Sequence, residues 1–170
     1  LLILVFSGSL SATCTTCTGN LVVNPGFNSN VNSWASYNGN FFKSTAYPQC
    51  GTAAHAEIIH TTGWAGFYQD ITTIPVGNQI TLTFWAGVHQ NSANSLFGLE
   101  FYNGSTYLSE STVQIDKILG GSPSMQFYTV TAIVPNNTNK VRIIGKINDD
   151  YLKVDELCLT TSLPCSNLKS

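Results

Sequence analysis

NLVVNPGFNSNVNSW, residues 20–34, holds a short apolar run, a turn, a phenylalanine, a polar loop and a tryptophan. Leu21, Val22 and Val23 have the apolar, branched character of a strand. Asn24-Pro25-Gly26 ends it, because proline has no amide hydrogen for a ladder and glycine accepts positive φ. YLKVDELCL, residues 151–159, has strand character as well. The two stretches are expected to meet in space and close an all-β domain. In the second, the apolar residues run Leu152 and Val154, then Leu157 and Leu159, so the period of two slips by one. Either a bulge lies there, or Asp155 shares the inward face of Leu157 and Leu159. An inward carboxylate requires a partner, a metal or a hydrogen-bond cluster.

The chain between them alternates. In 79–89, Ile80, Leu82, Phe84 and Ala86 fall on one face, with Thr81, Thr83, Trp85 and Gly87 on the other. In 96–102, Phe97, Leu99 and Phe101 oppose Gly98, Glu100 and Tyr102. Asn103-Gly104 is a two-residue hairpin signal leading into 105–115. Strands are also expected at 53–60, 65–72, 126–134 and 141–147, with a short one beginning at Phe41-Phe42. Residues 28–40 read as loop, anchored by Trp34 and Tyr37. About ten short strands, turns at regular intervals and no helical period predict an antiparallel β-sandwich or jelly roll.

At 170 residues the chain is long enough for one domain with a sizeable core. Residues 1–12, LLILVFSGSLSA, read as a signal-peptide remnant, and 13–170 as a single domain whose core spans about 20–160. The other reading of the apolar run is a strand of the folded protein. Only 9% of residues are charged and the net charge is -2, which gives a nucleic-acid surface no electrostatic basis. The seven lysines and arginines are scattered, so no polybasic membrane patch is present. Export agrees with the five cysteines, Cys14, Cys17, Cys50, Cys158 and Cys165, read as mainly structural disulfides of unspecified connectivity. Secretion or cell-surface display is the expected localisation.

The ordered set NLVVNPGFNSNVNSW, GWAGFYQDI, ITLTFWAGV, FYTVTAIVP and YLKVDELCL resembles the carbohydrate-binding modules of the CenC-like group, families 4, 9 and 22, among the galactose-binding-like jelly rolls. The resemblance implies a structural calcium held by the Gly26 carbonyl, Asn28 and Asp155, with a further carbonyl near Gly51. It also marks a departure, because the family usually has glutamate where this chain has Asn28. An amide oxygen ligates calcium but brings no charge. Trp64 resembles the family's binding tryptophan, and Trp34 a packing position.

Sugar binding needs aromatic faces for pyranose rings and polar groups for hydroxyls. Tyr68, Trp85, Glu100 and Tyr102 each lie opposite the core residues of their own strands. If these strands share a sheet, the four line one open face, with Trp64 at its rim. The alternative for Trp85 is burial under a loop or second layer. Catalysis is not expected: Glu100 is the only carboxylate placed mid-strand on that face, and no Ser-His-Asp pattern or metal-spaced cluster occurs. The expectation is therefore a non-catalytic extracellular module that binds a polysaccharide or glycan, of a kind that can be appended to a larger extracellular protein. The alternative is a structural or adhesive sandwich without sugar binding.

Overall fold

The computed structural model describes residues 16–46, 54–88, 94–115 and 125–163. Ten strands occur among them: β1 Ala35–Tyr37, β2 Gly39–Ser44, β3 His55–His60, β4 Ala65–Ile71, β5 Gln79–Val88, β6 Ser95–Asn103, β7 Thr106–Gln114, β8 Gln126–Ile133, β9 Lys140–Ile147 and β10 Tyr151–Ser162. They build two five-stranded sheets, β1-β4-β9-β6-β7 and β2-β3-β10-β5-β8. Every recorded pairing is antiparallel. The architecture is the expected β-sandwich. No helix of the described residues is long and apolar enough to cross a membrane.

Alternation fixes which side of each strand is inside. Ile80, Leu82, Phe84 and Ala86 of β5 are fully buried, as are Phe97 and Leu99 of β6. Phe67 joins the two layers through ring contacts with Phe41, Trp34 and Phe97 at 4.6, 5.6 and 5.9 Å. Removing such a fully buried ring costs about 3–5 kcal/mol. Trp34 is a packing residue, wedged against Phe27 as well, with its indole N–H donating to the Asn24 carbonyl.

The stretches 20–34 and 151–159 do meet. The Asn20 amide donates to the Leu157 carbonyl at 2.8 Å, and its oxygen accepts from the Leu159 amide at 3.0 Å. The Leu21 amide reaches the Leu159 carbonyl, and the Leu157 amide the Pro25 carbonyl. Cys17 is disulfide-bonded to Cys158 across 141 residues. Cys14, Cys50 and Cys165 lie outside the described residues, as does the run 1–12.

Two local expectations are corrected. Residues 21–23 are not a strand; they follow β10 through the Asn20 clasp and then bend away. The supposed loop 28–40 contains β1, which pairs with β4. The asparagine-rich sequence hid it, because side chains supply hydrogen bonds in the approach to it. Asn24, for one, holds the Asn30 and Asn32 carbonyls with its amide. The slipped period in β10 is a bulge between Asp155 and Cys158, with Glu156 at φ 49°. It returns Leu157 and Leu159 to the core and leaves Asp155 paired with Trp85.

Candidate functional site: the outer face of the first sheet

Register builds this face row by row. Tyr68, Ile144, Gly98 and Thr112 form one row across β4, β9, β6 and β7. Asp70, Arg142, Glu100 and Glu110 form the next. Gly66, Lys146, Leu96 and Gln114 lie on the other side of the first row. Tyr37 of β1 pairs with Gly66, and a Cβ at Gly66 would stand 2.5 Å from the Tyr37 hydroxyl. Glycine there lets the phenol lie across the sheet. Gly98 has a similar reason: a Cβ would strike the Ser111 carbonyl.

Charge on the face is paired. Arg142 grips Asp70 with two hydrogen bonds, Nε to Oδ1 at 2.7 Å and Nη2 to Oδ2 at 3.0 Å. Its guanidinium lies 3.6 Å from the Tyr68 ring centroid and 5.1 Å from that of Tyr102. Lys146 donates to Glu100 at 2.9 Å and to Glu110 at 2.8 Å. The Tyr102 hydroxyl donates to Glu100 at 2.7 Å. Burial and this hydrogen bond push the Tyr102 pKa up to about 12. Burial works against the Lys146 charge, but its two carboxylates outweigh it and raise its pKa. Burial also opposes ionisation of Asp70, and Arg142 and Lys140 overcome it, lowering its pKa. Asp70, Glu100 and Glu110 are thus matched by Lys140, Arg142 and Lys146, so this set carries no net charge.

The structure brings Tyr68, Glu100 and Tyr102 onto one face, and sets Trp64 at its edge. Trp64 is 40% exposed just before β4, its carbonyl held by the Asn38 amide. Trp85 is not on this face. It belongs to β5 of the second sheet, opposite Asp155 and Phe127. Strand alternation placed its side chain outward correctly, but the assignment of strands to sheets separates it from Tyr68. Tyr37, Arg142 and Lys146 were missed. The β9 sequence KVRIIGKI carried the signal for the last two, which alternate with buried Val141, Ile143 and Ile147.

The residues named for a metal lie at the closure of the chain ends. A Cβ at Gly26 would stand 3.0 Å from Glu156 Oε1 and 3.6 Å from Asn28 Nδ2. Asp155 is fully buried, and its Oδ1 accepts the Glu156 amide at 2.9 Å. Glu156, which the sequence reading did not name, lies beside Gly26. Burial raises its pKa, and no cation pairs with it among the described residues. No group of three His, Cys, Asp or Glu suited to a metal occurs among the described residues. Gly26, Asn28, Asp155 and Glu156 would offer carbonyl, amide and carboxylate oxygens, a chemistry that suits a hard cation. Gly51 lies outside the described residues.

The fold is that of the carbohydrate-binding-module jelly rolls. The chain is similar to a structure described as family 16 carbohydrate binding module-2, with TM-score 0.63 and 13% identity over 83% of this chain and 99% of that one. It is similar to the C-terminal family 22 module of Clostridium thermocellum Xyn10B, with TM-score 0.58 and 14% identity over 85% and 94%. It also matches the enzymatically active domain of bacteriophage CBA120 tailspike protein 4, with TM-score 0.65 and 14% identity over 84% of this chain. The chain spans 21% of that tailspike chain and 29% of a two-module Clostridium thermocellum xylanase structure. No protein-family model and no curated protein matches the sequence.

Proposed function

We propose that this protein is a non-catalytic, extracellular carbohydrate-binding module that takes a neutral glycan on the outer face of its first sheet. The observation that carries the reading is the set Tyr68, Tyr102, Glu100, Arg142 and Lys146: two phenol rings among fixed hydrogen-bonding groups, their charges balanced once Asp70, Glu110 and Lys140 are included. Aromatic rings suit the C–H faces of a pyranose, and carboxylates, guanidinium and ammonium suit its hydroxyls. Trp64 adds an exposed ring at the edge. A face without net charge favours a neutral polymer over an acidic one. Fold neighbours support the substrate class: one was solved with β-1,4-galactotriose and others are described as xylan-binding domains.

Glu100 and Glu110 face each other across β6 and β7, and both hold Lys146. That shared ammonium suits them to accept hydroxyl protons in hydrogen bonds rather than to divide acid and base roles. Appending to a larger extracellular protein is part of the same reading, since a family 22 module occurs beside a catalytic module in the Clostridium thermocellum xylanase. A structural calcium belongs to it too, held by the Gly26 carbonyl, Asn28 and Asp155, with Glu156 close by to supply the charge that Asn28 lacks.

Calorimetric titration with xylohexaose and β-1,4-galactotriose tests the face. Binding by the wild type, lost in Tyr68→Ala and weakened at least tenfold in Trp64→Ala, is the expected result. Binding untouched by both substitutions would remove the site from this face. No binding to any soluble neutral oligosaccharide of a wider panel would favour the structural or adhesive alternative.

A further inference from the structure

The second sheet carries a different surface. Along β5 and β8 the outward residues pair as Trp85 with Phe127, Thr83 with Thr129, Thr81 with Thr131 and Gln79 with Ile133. β10 adds Cys158 beside Thr83, Thr160 beside Thr81 and Ser162 beside Gln79. None of these eleven side chains is charged. Phe127 and Ile133 are 54% and 57% exposed and stand at the two ends of β8. Six residue steps of extended chain separate them, about 20 Å. Thr129 and Thr131 between them are exposed as well.

One end is ringed. Trp85 and Phe127 meet edge to face at 5.3 Å. A cavity of about 280 Å³ opens beside them, lined also by Thr16, Thr83, Glu156 and the Cys17–Cys158 disulfide. Aromatic rings followed by paired hydroxyls repeat the chemistry of a sugar chain, with apolar C–H faces and groups that both donate and accept. A protein partner fits this surface less well. Threonine is under-represented among residues that carry protein–protein affinity, and although Thr81 and Thr131 bond each other at 3.5 Å, the remaining hydroxyl capacity needs partners that a dry apolar interface lacks.

We infer that this track from Trp85 and Phe127 along the threonine pairs is a second carbohydrate contact, an uncharged platform for the surface of an insoluble neutral polysaccharide. The inference rests on the reading of the protein as a carbohydrate-binding module, and it assigns Trp85 a place apart from Tyr68. The first sheet grips one chain among fixed charges; the second lies against many.

Depletion by particles of cellulose, chitin and insoluble xylan tests it, run beside the oligosaccharide titration. Phe127→Ala and Thr131→Lys, both at exposed edge-strand positions, should lower particle retention at least tenfold and leave oligosaccharide binding unchanged. Tyr68→Ala should do the reverse. Particle retention that follows Tyr68→Ala and ignores Phe127→Ala and Thr131→Lys would overturn the platform while the first face stands. A concentration-dependent dimer in sedimentation that Thr131→Lys dissolves, with retention unchanged, would make the track a contact between copies and overturn it equally. Absence of retention on every particle, with oligosaccharide binding present, overturns the platform alone; absence of both overturns both readings.

Discussion

Arg142 covers one face of the Tyr68 ring at 3.6 Å while it is bound in a fork to Asp70. The guanidinium therefore fixes the ring's orientation, and Asp70 fixes the guanidinium. A lysine keeps the charge but has neither the planar stack nor the fork. Arg142→Lys should weaken oligosaccharide binding at least fivefold in calorimetric titration, with only a small change in melting temperature. Unchanged affinity would mean that Tyr68 needs no such positioning.

The proposed calcium links the two ends of the chain. At a free ion concentration of about 100 times the dissociation constant, a bound ion contributes about 2.7 kcal/mol. For a domain of this size that amounts to about 5–10 °C in melting temperature. Excess chelator should lower the melt by that amount, and Asp155→Asn should abolish the response. An identical melt in calcium and in chelator argues against the ion.

The Cys17–Cys158 disulfide closes a loop of 141 residues of separation. Long loops gain most from a cross-link in the chain-entropy account. Cys17→Ser with Cys158→Ser should cost about 2–5 kcal/mol in denaturant unfolding. A loss under about 1 kcal/mol would show that the Asn20 clasp alone holds the ends.

The salt-bridge set gives stability a defined pH window. Tyr102 titrates at about 12 in the fold, from burial and its bond to Glu100, against about 10 unfolded. Its contribution is complete below pH 10 and is lost as pH rises towards 12. Lys146, also raised, acts in the same direction. Asp70 is lowered, so its contribution holds above about pH 4 and is lost as pH falls further. Urea midpoints should fall below about pH 4 and again above about pH 10, and Tyr102→Phe should make the alkaline fall shallower. A midpoint still rising above pH 10 would contradict the network.

Local pattern revealed the strands and which way each side chain points. Ile80 to Ala86 and Phe97 to Phe101 alternate so regularly that their burial followed directly. The slip at Asp155 was visible too, because a bulge disturbs the period that betrays it. Which strands share a sheet was not visible. β4, β6 and β9 lie together and β5 lies elsewhere because of non-local pairing, so Tyr68 and Trp85 separated although both point outward. β1 was hidden by its shortness and its asparagine-rich approach. The partnership of Lys146 with Glu100 and Glu110 joins β9 to two strands far from it in sequence, and only the register reveals it.

β10 lies between β3 and β5, in the middle of its sheet, and Asn20 is bonded to it from the other end of the chain. β10, the last of the described strands in sequence, is thus the one that unites the layer. Until residues 151–162 leave the ribosome, β2 with β3 and β5 with β8 remain two separate strand pairs, and residues 20–25 have nothing to clasp. Such late, long-range pairing is slow. The second sheet therefore cannot close before β10 is made, and its two strand pairs stay exposed to proteases and chaperones until then.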